Sequence, residues 1–179
     1  LGDRVVVMCD GLLRQAASPL DTYQHPADLF VAGFLGMPPM NFFDGMLEHA
    51  DNQLWFVSDD CRLRVDGPPE WLEGESRRPV VAGMRPEAIR LADANTEHGL
   101  PATVQVTEPL GSTMDVFLLT DSGQRLVCRI DAEVLEEGKR VVAQGSPVDV
   151  HLFEPNRAAE GQAPIEYGRN LRSHETAMA

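Results

Sequence analysis

Val5-Val6-Val7-Met8 is a short apolar run without polar alternation, the pattern of a strand buried on both faces. Asp10-Gly11 is a two-residue hairpin turn, and Leu12 to Ala16 reads as the returning strand. A lone hairpin cannot cover a two-sided strand, so this piece reads as the edge of a larger sheet. Ser18-Pro19 opens a helix: the serine caps free amides, the proline fits the first turn, and Asp21 favours the helix start. Pro26 breaks that helix and starts another. Asp28 sits in its first turn, Leu29, Phe30, Ala32, Phe34 and Leu35 supply apolar surface, and Gly36 stops it. Met37 to Phe43 holds two prolines in series and marks a domain boundary.

Beyond it the pattern is β. Met46–His49, Leu54–Val57 and Leu63–Val65 are short strands separated by turns at Asp51-Asn52 and Asp59-Asp60. Pro68 to Leu72 is a loop or single helical turn, Val80–Met84 a fourth strand, and 92–99 a polar loop. Ala102–Thr107, Met114–Thr120 and Arg125–Ile130 are the clearest strands, the last two flanking the hairpin turn Asp121-Ser122-Gly123. Val141–Ala143 and Val148–Phe153 complete a set that suggests a small barrel or sandwich. Val104, Val106, Val116, Leu118, Val127 and Val150 should form its core. Gly83, Gly111 and Gly145 should sit at turns or bends that reject a Cβ. Residues 156–179 carry few large apolar side chains and read as a mobile tail.

Charge and composition remove several activities. The 179 residues carry 15 Lys+Arg against 28 Asp+Glu, a net charge of −13, which excludes a phosphate-backbone binder and argues for no nucleic-acid partner. Lys139 is the only lysine, and it precedes Arg140 rather than Ser or Thr, so no G-x-x-x-x-G-K-[ST] phosphate loop exists here. No apolar run approaches the ~20 residues of a membrane helix, and residues 1–17 do not read as a signal peptide. Cys9, Cys61 and Cys128 are widely spaced and odd in number, which reads as buried thiols rather than a zinc or disulfide pattern.

Candidate chemistry is sparse, with no catalytic, cofactor-binding or metal-ligating set. None of His25, His49, His98, His151 and His174 falls in a ligand motif, and His151 reads as an ordinary strand histidine. Asp59-Asp60 and Glu136-Glu137 read as turn and solvated-face residues. Trp55 and Trp71 could stack a sugar but read more simply as core or interface residues. Gly111, Ser112 and Thr113 form a tight turn whose amides and hydroxyls could hold an oxyanion, although a turn alone also explains the glycine.

Several stretches together resemble a known family. Leu1 to Met8 with Asp10-Gly11, Ser18-Pro19 through Tyr23, and Pro26 to Gly36 are similar to the end of the nucleotide-binding domain and the connecting segment of ABC importer ATP-binding subunits. Pro39, Met40, Asn41 and Phe42 have the form of the maltose/glycerol-phosphate/multiple-sugar branch. Gly83-Met84-Arg85-Pro86-Glu87, Glu108-Pro109-Leu110-Gly111 and His151-Leu152-Phe153 resemble its regulatory domain. The resemblance implies a mainly β fold: an OB-like, TOBE-type β-barrel over 44–155, behind a linker at 37–43 and a hairpin and helical elbow over 1–36 left from an α/β ATPase domain. It implies a regulatory and dimerisation module without ATPase activity of its own, the parent subunit being the ATPase that uses ATP and Mg. It further implies a homodimer, membrane permease subunits and a regulator protein as partners, and a cytoplasmic place on the inner face of the membrane. The alternative is a small-ligand sensor, since related barrels in oxyanion importers bind molybdate or tungstate. The Ser-Ala-Arg-Asn stretch of those binders is absent.

Overall fold

A computed structural model describes residues 2–96, 99–156 and 167–172. Strands β1 (Val5–Cys9) and β2 (Leu12–Ala17) form a separate two-stranded sheet. Helices α1 (Pro19–Gln24) and α2 (Leu29–Phe34) follow. One five-stranded sheet has the order β12-β6-β3-β4-β5, from β3 (Asn41–Ala50), β4 (Gln53–Val57), β5 (Arg62–Val65), β6 (Arg77–Met84) and β12 (His151–Phe153). The other runs β10-β9-β8-β11-β7, from β7 (Ile89–Asp93), β8 (Leu100–Pro109), β9 (Thr113–Thr120), β10 (Arg125–Asp131) and β11 (Arg140–Gly145). All pairings are antiparallel. The result is the expected OB-like β-barrel domain.

Local chemistry explains the elements. Asp10 and Gly11 both take positive φ (50° and 77°), which a two-residue hairpin needs. Ser18 caps α1 by accepting from the Asp21 amide, and Asp28 is the N-cap of α2, accepting from the Val31 amide. Residues 41–43 of the expected linker already pair with β6, so the barrel starts at Asn41.

The barrel core lies between the two sheets and includes Phe43, Leu47, Phe56, Met84, Ile89, Val104, Val116, Leu118 and Leu152. A smaller cluster of Ala32, Met40, Val81 and Phe153 covers the outer face of β6 with elbow residues. This second layer explains why Val80–Met84 shows no alternation: both its faces are buried. Gly83 lies inside β6 rather than at a turn. A Cβ there would fall 2.5 Å from Met40 Sδ and 3.0 Å from a Phe153 ring carbon, so the glycine serves the close approach of the elbow. Gly145 ends β11, where a Cβ would meet Met84 Sδ at 2.5 Å.

Three further expectations are corrected. Val106 is 44% exposed, whereas Val104, Val116, Leu118, Val127 and Val150 are buried as expected. A β-bulge between Val104 and Val106 inserts one residue and turns the rest of β8 over. The Val5–Met8 strand is covered on one face only: Val7 is 3% exposed, Val6 and Met8 58% each. Part of the expected mobile tail is docked. Residue 169 bridges to Asp28, Asn170 bridges to Phe153, and Asn170 and Leu171 are buried. That reading otherwise falls on 157–166 and 173–179, which lie outside the described residues.

Candidate functional site

The best-built polar site joins the hairpin and elbow to the barrel. Arg85, at the end of β6, is buried. Its Nη1 donates to Ala32 O at 2.9 Å and to Leu35 O, and its Nη2 donates to Tyr23 O at 2.8 Å. One guanidinium therefore serves carbonyls from the ends of both α1 and α2, where unpaired carbonyls and the negative end of the helix dipole favour a cation. It also lies 4.0 Å from the centre of the Tyr23 ring. Burial lowers the Arg85 pKa, but from so high a starting point that the charge remains. The Tyr23 hydroxyl donates to Glu87. Burial, then that hydrogen bond and the Glu87 charge, push the Tyr23 pKa up to about 12.

The hairpin is fastened to the same elbow. Arg14 of β2 donates to Asp28, whose other carboxylate oxygen caps α2. Gln15 donates to His25 O and accepts from the Ala27 amide. The 167–172 segment is tied to the same elbow by Asn170, whose side-chain amide donates to Pro26 O and whose backbone amide donates to Ala27 O. Glu154, beside this segment, accepts from Arg78 at 2.9 Å and Arg169 at 3.2 Å. Burial pushes its pKa up, and the two arginines more than offset this, leaving it below the ordinary range.

Of the linker residues, Met40 is buried against the elbow and Phe42 meets Phe153 edge-on. Asn41 is buried between the sheets. Its amide nitrogen donates to Met84 O at 3.2 Å and Val127 O at 2.8 Å, and its amide oxygen accepts from Val127 N at 2.8 Å. Pro39 precedes this anchor, outside any regular element. Gly111, Ser112 and Thr113 lie apart, in the turn from β8 to β9. Gly111 has φ 103°, Leu110 N donates to Thr113 O, and Ser112 O accepts from Ala132 N. Among the described residues no hydrogen bond or ion pair joins this turn to residues 39–42.

The carboxylate of Asp60 is taken up by Thr120 Oγ1 and by the amide and hydroxyl of Ser122, which pins the β4–β5 turn to the β9–β10 turn. Among the described residues no group of His, Cys, Asp and Glu could hold a metal. No helix there is long and apolar enough to cross a membrane.

His151 matters in a way its local sequence did not disclose. Its Nδ1 is buried without a hydrogen-bond partner, and burial, then Arg85 and Arg172, push its pKa down to about 4. A histidine with a depressed folded pKa contributes fully above its unfolded value near ~6.5 and loses that contribution as pH falls toward about 4. Urea unfolding should show the chain losing roughly 2–3 kcal/mol between about pH 7.5 and 4.5 relative to a His151→Phe variant. Parallel pH profiles for the two would contradict this.

The comparisons with known proteins agree with this architecture. Residues 36–89 match the MalK OB fold domain family and residues 82–153 match the TOBE domain family. The chain therefore carries both domains, and it belongs with the OB-fold and TOBE regions of ABC transporter ATP-binding proteins. It is 33% identical over 159 residues to the ABC transporter ATP-binding protein y4oS of Sinorhizobium fredii, covering 89% of this chain and 41% of that protein. It is 38% identical over 139 residues to YurJ of Bacillus subtilis, another ABC transporter ATP-binding protein, covering 73% and 37%. It is also 38% identical over 144 residues to the osmoprotective compounds uptake ATP-binding protein GgtA of Synechocystis, covering 75% and 37%. The chain thus spans about two fifths of the length of these curated relatives. Among solved structures, the cytoplasmic molybdate-binding protein ModG superposes with a TM-score of 0.53 at 18% identity, over 64% of this chain and 96% of ModG, a likeness of fold alone.

Proposed function

We propose that this chain is the regulatory and dimerisation portion of the ATP-binding subunit of an ABC importer for sugars or sugar-like osmoprotectants. The observation that carries the reading is the joint. A MalK-type OB barrel is clamped through Arg85 to the helical elbow, and Arg14 and Gln15 fasten to that elbow a hairpin whose outer face exposes Val6, Met8 and Leu13. That bare apolar face suits continuation into the ATPase sheet of the parent subunit, and the clamp would carry movements of that sheet to the barrel. The sugar class rests on the MalK match and on the uptake of osmoprotective compounds named for GgtA. In this role the barrels pair across two subunits, and the parent complex works on the inner face of the membrane with permease subunits and, in this reading, a regulator protein. ATP and Mg are bound by the parent subunit, not by these residues. The Gly111–Thr113 turn, exposed at one end of the barrel, is a candidate contact for such a regulator or for an anion.

Two measurements on the protein test the reading. Light scattering should give a dimer mass both for the chain and for a shortened chain beginning at Met37, because pairing resides in the barrel. A fluorescent ATP analogue should show no micromolar binding, since Lys139 lies outside any phosphate loop. A monomer, or tight nucleotide binding, would contradict it.

A further inference from the structure

The barrel contains a cleft that none of the above uses. It lies where the chain crosses between the sheets: the β6–β7 crossover passes through a 3-10 turn at Pro86–Ala88, and the β11–β12 crossover through another at Pro147–Asp149. Strands β5 and β7 are the free edges of their sheets on this side. The space between has a volume of about 630 Å³, within the roughly 300–1,000 Å³ typical of small-molecule sites.

Its lining is chemically unusual for an acidic chain. Arg62, Arg64 and Arg90 face two carboxylates, Glu87 and Asp149, in a protein of net charge −13. Other arginines are tightly engaged: Arg129 is 2.7 Å from Asp115 and Arg78 2.9 Å from Glu154, both partly buried pairs, and Arg140 is 2.6 Å from Asp121 on the surface. Those of the cleft are not. Arg62 and Arg64 approach Glu48 and Asp66 only to 3.7 Å, beyond hydrogen-bond distance, and Arg90 makes no ion pair among the described residues. All three are exposed, with donors left to give. Arg62 is held in place by Trp55, 4.3 Å from its ring centre. Glu87 is engaged by Tyr23, which leaves its second oxygen and the Asp149 carboxylate as acceptors.

We propose that this cleft binds a small phosphorylated sugar or polyol. Guanidinium groups match a phosphate bidentately. The carboxylates and Ser146 match hydroxyls, and Leu63, Ala88 and Pro147 in the lining offer apolar contact to the carbon skeleton. Glu87 belongs to both the cleft and the elbow joint, so an occupant that engages it acts on the residue that holds Tyr23. This goes beyond the assignment of the chain to a transporter subunit and can fail while that assignment stands.

Calorimetry and amide NMR on the chain with glucose 6-phosphate, glucose and inorganic phosphate test it. Glucose 6-phosphate should bind one-to-one and shift the Trp55 indole and Arg90 amide signals. Glucose and phosphate should each bind about tenfold more weakly or worse, since each lacks half of the matched groups. The Arg64→Gln/Arg90→Gln variant should lose about tenfold or more in affinity, while Arg140→Gln, outside the cleft, should bind normally. No saturable binding, shifts confined to other residues, equal affinity for phosphate alone, or an unaffected double variant would each overturn the proposal.

Discussion

Replacing Arg85 by alanine is expected to destabilise the chain by about 3 kcal/mol or more, with the loss concentrated in the elbow. Three carbonyls, Ala32 O, Leu35 O and Tyr23 O, lose their shared donor at once, and Tyr23 loses the cation on its ring. A charged donor to a buried acceptor is worth more than a neutral one, and stranding an acceptor adds its desolvation. Urea unfolding gives the total. Hydrogen exchange should locate the loss, with the amides of α1 and α2 losing protection before those of the barrel. Arg85→Lys should recover only part of the loss, because a compact ammonium lacks the planar fork that spans the two helix ends and the stack on Tyr23. A cost below about 0.5 kcal/mol for Arg85→Ala would show that the elbow is held by apolar contact alone.

The second large effect is expected at Asn41. Its amide satisfies the Met84 carbonyl in one sheet and both backbone groups of Val127 in the other. Asn41→Ala removes three hydrogen bonds and leaves buried backbone groups unpaired, at a cost of roughly 2–4 kcal/mol. Asn41→Asp should be no better. Its carboxylate can accept from Val127 N but faces two carbonyl oxygens where the amide nitrogen donated. Thermal unfolding of the two variants distinguishes this from a packing role, since a merely structural contact would tolerate the isosteric aspartate.

Much of this was legible because the signals are local. Asp10-Gly11, Ser18-Pro19 and the Asp121–Gly123 turn carry their backbone geometry in their own side chains, and strand alternation located most core valines. What was missed depends on distant partners. The bulge that turns Val106 outward answers to pairing with β9, not to any residue in β8. The docking of 167–172 relies on backbone pairing and on Asn170, whose polar character reads as exposed when the chain is read alone. Asn41 and Arg85 stood out only through their family-like context. Their hydrogen bonds reach across 43 to 86 positions of sequence, which no periodicity reports. The cleft is more remote still, because it exists only once both crossovers and both edge strands are in place.

The proposed role, regulatory part of the ATP-binding subunit of an importer, is open to a test in a complete subunit. Its most direct test is a chimera in which the matching portion of YurJ is replaced by this chain, assayed for ATP hydrolysis and dimer formation. The expected result is a dimeric ATPase with activity close to that of YurJ itself, and loss of that activity when Arg85→Ala is added. A chimera that folds and binds ATP but neither dimerises nor hydrolyses it would rule out the proposed role.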